Sequence, residues 1–141
     1  MRLLLLCLLF SGCSLIKPGS AYTAGMAIGF AYGQAKDKMS PEKKEALRIA
    51  YTALDDVIKE YEADQNKNVN VNLVVTVAKS IAKSKGVNGA VISLSGAVIK
   101  DTFARLKSRH KIDETDSKMI YLILKDFRQG IDDALKDSKP D

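Results

Sequence analysis

The chain has 141 residues, 22 Lys and Arg against 17 Asp and Glu, a net charge of +5 and no tryptophan. That length holds one domain with a real core and not two. The mild, mixed-sign charge lacks the clustered basic footprint of a dedicated nucleic-acid binder, so no nucleic-acid partner is expected. Few aromatic residues, three prolines and abundant Ala, Lys, Leu and Val read as helical.

The chain opens on Arg2, an apolar run from Leu3 to Phe10, and then Ser11, Gly12 and Cys13. A basic start, an apolar core and small residues make a secretory signal. The core is too short to cross a bilayer, which takes about 20 apolar residues. Small residues before a cysteine resemble the lipobox of bacterial lipoproteins. The resemblance covers the leader alone. It implies that the Cys13 thiol receives diacylglycerol, that residues 1–12 are removed, and that the new amino terminus is acylated as well. A thiolate is the best nucleophile a protein can place beside a membrane. Each buried methylene adds about 0.8 kcal/mol, so several chains on one residue hold where a single chain does not. The expected partner through Cys13 is therefore the lipid bilayer, and the expected address is the cell envelope. Ser14 stands where enteric lipoproteins retained in the inner membrane carry aspartate, which favours the outer membrane. Two plainer readings stay open: Gly19-Ser20-Ala21 as an ordinary small-x-small cleavage site, or the apolar run as an uncleaved anchor. The only other cysteine, Cys7, leaves with the signal, so the body has no disulfide or thiolate metal site.

Residues 13–20, with Pro18 and Gly19, form a short tether, and residues 21–141 form a single domain. Between Lys17 and Lys36 there is no charged residue. Residues 21–36 read as an uncharged Gly/Ala-rich helix in which Gly25, Gly29 and Gly33 fall four apart, with Ala21 one step earlier on the same face. Such a groove of small residues lets another helix approach closely, and it is similar to the glycine zippers of some envelope lipoproteins. It serves either a packed helix of the domain or a helix that pairs in a bilayer. At 1.5 Å per residue its length falls just short of a hydrocarbon core.

Ser40, Pro41 and Glu42 start a second helix running to about Asp64, with serine as cap and proline at the first position. Leu47, Leu54 and Tyr61, with Ala50, Tyr51, Val57 and Ile58, give it one apolar stripe. Asp64, Asn66, Asn68 and Asn70 alternate like the start of a calcium loop, but Val69 replaces the turn glycine and Val75 the bidentate glutamate. Turn and cap chemistry is the expectation there, and no metal. A third helix spans about Asn72 to Lys85 and a fourth, capped by Asn88, runs from Gly89 to Arg109. In the fourth, Ser93, Gly96 and Ala97 are small enough to admit neighbours. Asp113 or Thr115 opens the last helix, whose buried face is Ile120, Ile123, Leu124, Phe127, Ile131, Ala134 and Leu135, before a polar tail from Lys136. The expected fold is all-α, a small bundle of four to five helices after a cleaved signal peptide.

Candidate chemistry is sparse. Arg105, Lys107, Arg109 and Lys111 make a basic end that suits either the dipole of the fourth helix or an anionic contact. His110, the only histidine, sits among these cations, a poor setting for a base or ligand. The pairs Asp55-Asp56 and Asp132-Asp133 are placed on solvent faces. No phosphate-binding glycine loop and no cofactor motif is present, so an enzyme is not expected. The function read from the residues is a membrane-anchored binding or structural component of the envelope. It would brace a complex or mask a receptor, as small phage and plasmid lipoproteins of similar size and anchor do. A membrane-active oligomer built through residues 21–36 is the alternative.

Overall fold

The computed structural model of the chain describes residues 18–35 and 39–138. Cys13, the leader and the tail beyond Ser138 lie outside them. The described residues form five helices and no strand: α1 (Pro18–Ala35), α2 (Pro41–Ala63), α3 (Val71–Ser84), α4 (Gly89–Arg109) and α5 (Ser117–Ser138). The all-α bundle read from composition and periodicity is the fold observed.

Helix starts follow side chains that compete for free backbone N–H groups. Ser40 Oγ accepts from Lys43 N at 3.2 Å, Asn70 Oδ1 from Leu73 N at 2.8 Å and Asn88 Oδ1 from Val91 N at 3.0 Å. α3 ends at Gly86, whose φ of 69° is the left-handed conformation that only glycine adopts without strain. Three boundaries differ from expectation, one of them the close of α5, which runs to Ser138 through the start of the expected polar tail at Lys136. α1 starts at Pro18, so residues 18–20, expected in the tether, belong to the helix. Proline fits a first turn, where its missing N–H has no partner to lose. The last helix starts at Ser117, not at Asp113 or Thr115. Asp113 instead folds its carboxylate onto Thr115, accepting from the backbone N at 3.0 Å and from Oγ1 at 2.6 Å, and Asp116 becomes the cap through Met119 N at 3.2 Å.

Helix directions follow from the contacts. Going from Gly25 to Gly29 on α1 moves the neighbour on α5 from Phe127 towards Ala134, so α1 and α5 run the same way. α2 runs against α5: Tyr51 meets Asp132, Asp55 meets Arg128 and Glu62 meets Tyr121. The start of α1 therefore lies towards the end of the bundle that holds the close of α2 and the opening of α5. The other end holds the close of α1, the opening of α2 and the close of α5.

The core is aliphatic. Ile49, Leu54, Val57 and Ile58 of α2, Val74 of α3, and Ile120 and Leu124 of α5 are its largest closed apolar side chains. Each such residue stabilises the fold by about 1.5–3 kcal/mol relative to exposure. α3 and α4 close on each other at Gly96, where an added Cβ would stand 3.3 Å from Val75 Cγ1 and 3.2 Å from Lys79 Cε. Ser95, not Ser93, shares that buried face, and its hydroxyl donates to Ile92 O at 2.8 Å. Ser93 points to solvent because it lies two positions, about 200°, away.

Candidate functional site

α1 lies on α5 far more than on any other element. The contact is made by glycines from both sides. A Cβ on Gly25 would fall 2.0 Å from Phe127 O, and one on Gly29 2.7 Å from Ala134 Cβ and 2.9 Å from Ile131 O. From the other side, a Cβ on Gly130 would fall 2.1 Å from Tyr22 O and 2.9 Å from Met26 N. Backbone thus meets backbone, and only glycine permits that approach. Ala21 completes the face and is fully buried, while Gly33 is half-buried. Gly130 was not singled out in the sequence. Its signal was present, a lone glycine in the middle of an amphipathic helix, where it costs about 1 kcal/mol against alanine unless packing requires it.

Polar clasps flank this seam. Neighbouring helix positions diverge by about 100°, so Asp132 and Asp133 reach different helices. Asp133 Oδ2 accepts from Tyr22 OH of α1 at 2.6 Å and its Oδ1 from Gln129 Nε2 at 2.8 Å. Asp132 Oδ1 accepts from Tyr51 OH of α2 at 2.5 Å. Asp55 accepts from Arg128 Nη1 at 2.7 Å and pairs with Lys59 at 2.7 Å. Asp55, Asp132 and Asp133 are half-buried, so of the four acids placed on solvent faces only Asp56 is there. The divergence that keeps adjacent acids from converging on one ligand is what lets α5 hold α1 and α2 at once. Further along, Tyr121 OH donates to Glu62 at 2.8 Å, and its ring lies 4.6 Å from that of Tyr61.

These clasps carry a pH signature. Hydrogen bonds from Tyr22 and then Gln129 hold the Asp133 carboxyl below the usual carboxylate range. Burial, helped by the Asp132 carboxylate, pushes the Tyr51 hydroxyl up to about 12. A raised folded value favours the protonated phenol, so its contribution is whole below the unfolded value of about 10 and is lost as pH rises towards 12. Urea midpoints of the native chain are expected to fall across that interval, and those of Tyr51→Phe to fall less. Equal slopes for the two would remove Tyr51 from the account.

Above the Tyr51–Asp132 clasp, α1, α2 and α5 leave a cleft of about 490 Å³. That lies within the roughly 300–1,000 Å³ range of small-molecule sites. Ile28, Leu47, Ile131 and Leu135 give it apolar walls. Leu47, Tyr51 and Leu135 were read as core from periodicity. The structure leaves all three half-buried because they line this cleft. At its rim Arg48 Nε donates to Tyr32 OH at 3.2 Å. Arg48 Nη1 and Lys85 Nζ approach the two oxygens of Glu45, each at 3.5 Å. One loosely held carboxylate thus serves two cations.

The basic residues Arg105, Lys107, Arg109 and Lys111 are all exposed at the end of α4, away from the cleft. Lys107 pairs with Glu114 at 3.2 Å. His110 caps the helix through its backbone N–H to Leu106 O at 2.9 Å. In the 64–72 connection, Asp64 accepts from Asn66 N at 3.1 Å and Asn70 caps α3, which is turn and cap chemistry. Among the described residues no group of three His, Cys, Asp or Glu could hold a metal ion, and no helix is long and apolar enough to cross a membrane. No family model, curated protein or solved structure matches the chain.

Proposed function

We propose that the chain is an envelope lipoprotein, held to a bilayer by acyl chains on Cys13, whose helical body is a binding or structural component with no catalytic role. The bilayer is one partner, and an envelope protein or a second copy of the chain is the other, including the case in which the body masks a surface receptor. The outer membrane is the favoured address.

The observation that supports this reading over a membrane-active oligomer is the occupancy of the glycine face. Gly25 and Gly29 already receive α5 within the chain, so that face is not available to a neighbouring helix in a bilayer. The cleft lies at the end of the bundle away from the start of α1, to which the tether joins, so an anchored body would hold it away from the lipid surface.

The test is the intact mass of protein extracted from membranes. The expected mass lacks residues 1–12 and includes acyl chains, and Cys13→Ser is expected to lose both changes and leave the membrane fraction. A native chain recovered unmodified with Met1 in place would end the proposal. Gly29→Leu separates the two functions. An anchored body should lose folding stability, whereas an oligomer should lose assembly while the body stays folded.

A further inference from the structure

We infer that the cleft between α1, α2 and α5 binds a single-chain anionic amphiphile, its chain along Ile28, Leu47, Ile131 and Leu135 and its carboxylate or phosphate head at Arg48 and Lys85. The inference rests on reading the cleft as the binding face of the anchored body, and it names the ligand class.

Three observations converge on that class. Aliphatic walls come from α1, α2 and α5, and the two cations Arg48 and Lys85 both border the cleft, the composition of a site that takes an apolar body and fixes one charged head. The rim is cationic on balance, since Arg48 and Lys85 share only Glu45, and both contacts sit at 3.5 Å, longer than a good charge-assisted hydrogen bond of about 2.7–2.9 Å. An incoming carboxylate or phosphate can therefore take the guanidinium and the ammonium at little loss. The one acid inside, Asp132, is engaged by Tyr51 OH at 2.5 Å, and the head would sit at the rim and not beside it.

The experiment uses the full acylated chain in its own membranes. A long-chain fatty acid bearing a mid-chain diazirine is photolysed there and the labelled peptides are mapped. Label is expected on the segments around Ile28, Leu47 and Ile131. Competition by an unlabelled fatty acid and by a lysophosphatidic acid separates a free carboxylate from a phosphate-headed lipid as the source. The matching long-chain alcohol is expected to compete about tenfold more weakly, the loss of one charge-assisted contact. Arg48→Gln combined with Lys85→Gln changes two exposed side chains and is expected to cut cleft labelling by about the same factor, while Lys43→Gln leaves it unchanged. Should the double variant fail to fold, the acid-against-alcohol comparison on the native chain still decides. Equal competition by the alcohol overturns the anionic head while leaving a cleft that binds. Label on the cleft segments no higher than on α3 and α4 overturns the site altogether. The Cys13 mass from the same sample reports separately on the anchor.

Discussion

Gly25→Ala is expected to destabilise the protein by about 2 kcal/mol, although alanine is the better helix former by about 1 kcal/mol. The added Cβ would lie 2.0 Å from Phe127 O, 3.0 Å from Phe127 C and 3.1 Å from Ile131 N. All three are backbone atoms of a helix that is itself clamped to α2, so no side chain can rotate out of the way. The helices must separate, and the whole seam loses contact. For a body of this size the melting temperature should fall by roughly 5–10 °C. Gly130→Ala makes the same collision from the α5 side. Because one separation accommodates both methyl groups, the double variant should fall well short of the sum of the singles. Hydrogen exchange gives a second readout: residues 18–35 should lose protection before α2, α3 and α4 do. An unchanged or higher melting temperature for Gly25→Ala would mean that α1 does not lie on α5 as described.

Leu124→Ala should cost more, about 3–4 kcal/mol. Leu124 is fully closed to solvent, and its neighbours on α5, Ile120, Ile123 and Phe127, are buried as well. Its removal leaves a cavity whose walls are regular helices with little freedom to collapse, the circumstance at the upper part of the roughly 2–5 kcal/mol range for such truncations. Leu122, two residues earlier on the same helix, is 48% exposed. Leu122→Ala should stay within about 0.5 kcal/mol. Thermal or urea unfolding of the pair checks the assignment. Similar losses for both would mean that the face of α5 has been placed wrongly.

Sequence alone reached the helices because their signals are local. Ser40 and Asn88 cap where they stand, and the 3.6-residue recurrence from Ile120 to Ala134 marks a buried face without reference to any neighbour. The helix boundary at Ser117 was harder. Asp113, Thr115 and Asp116 are all competent caps, and the choice among them is made by the Asp113 turn and by Ser117 Oγ, which accepts from Val69 N at 2.9 Å across the bundle. The cleft was out of reach for a related reason. Leu47, Tyr51 and Leu135 carry core periodicity, and nothing local reveals that α1, α2 and α5 leave a gap between them. The same holds for the acids of α5, whose tyrosine partners stand 81 and 111 residues away in the chain. Glycine spacing in α1 was visible, but its counterpart Gly130 was meaningful only once the two helices were seen together.

The mating of the first described helix with the last sets an order of assembly. A ribosome delivers residues 18–35 early, yet the ridge that receives them arrives only with Phe127, Gly130 and Ala134. Throughout synthesis and any export the uncharged opening helix has nowhere to lie, and loop closure across most of the polypeptide precedes its docking. Residues 18–35 therefore dock only after Phe127, Gly130 and Ala134 have been made, and a chain cut short before them would leave that uncharged helix without its partner.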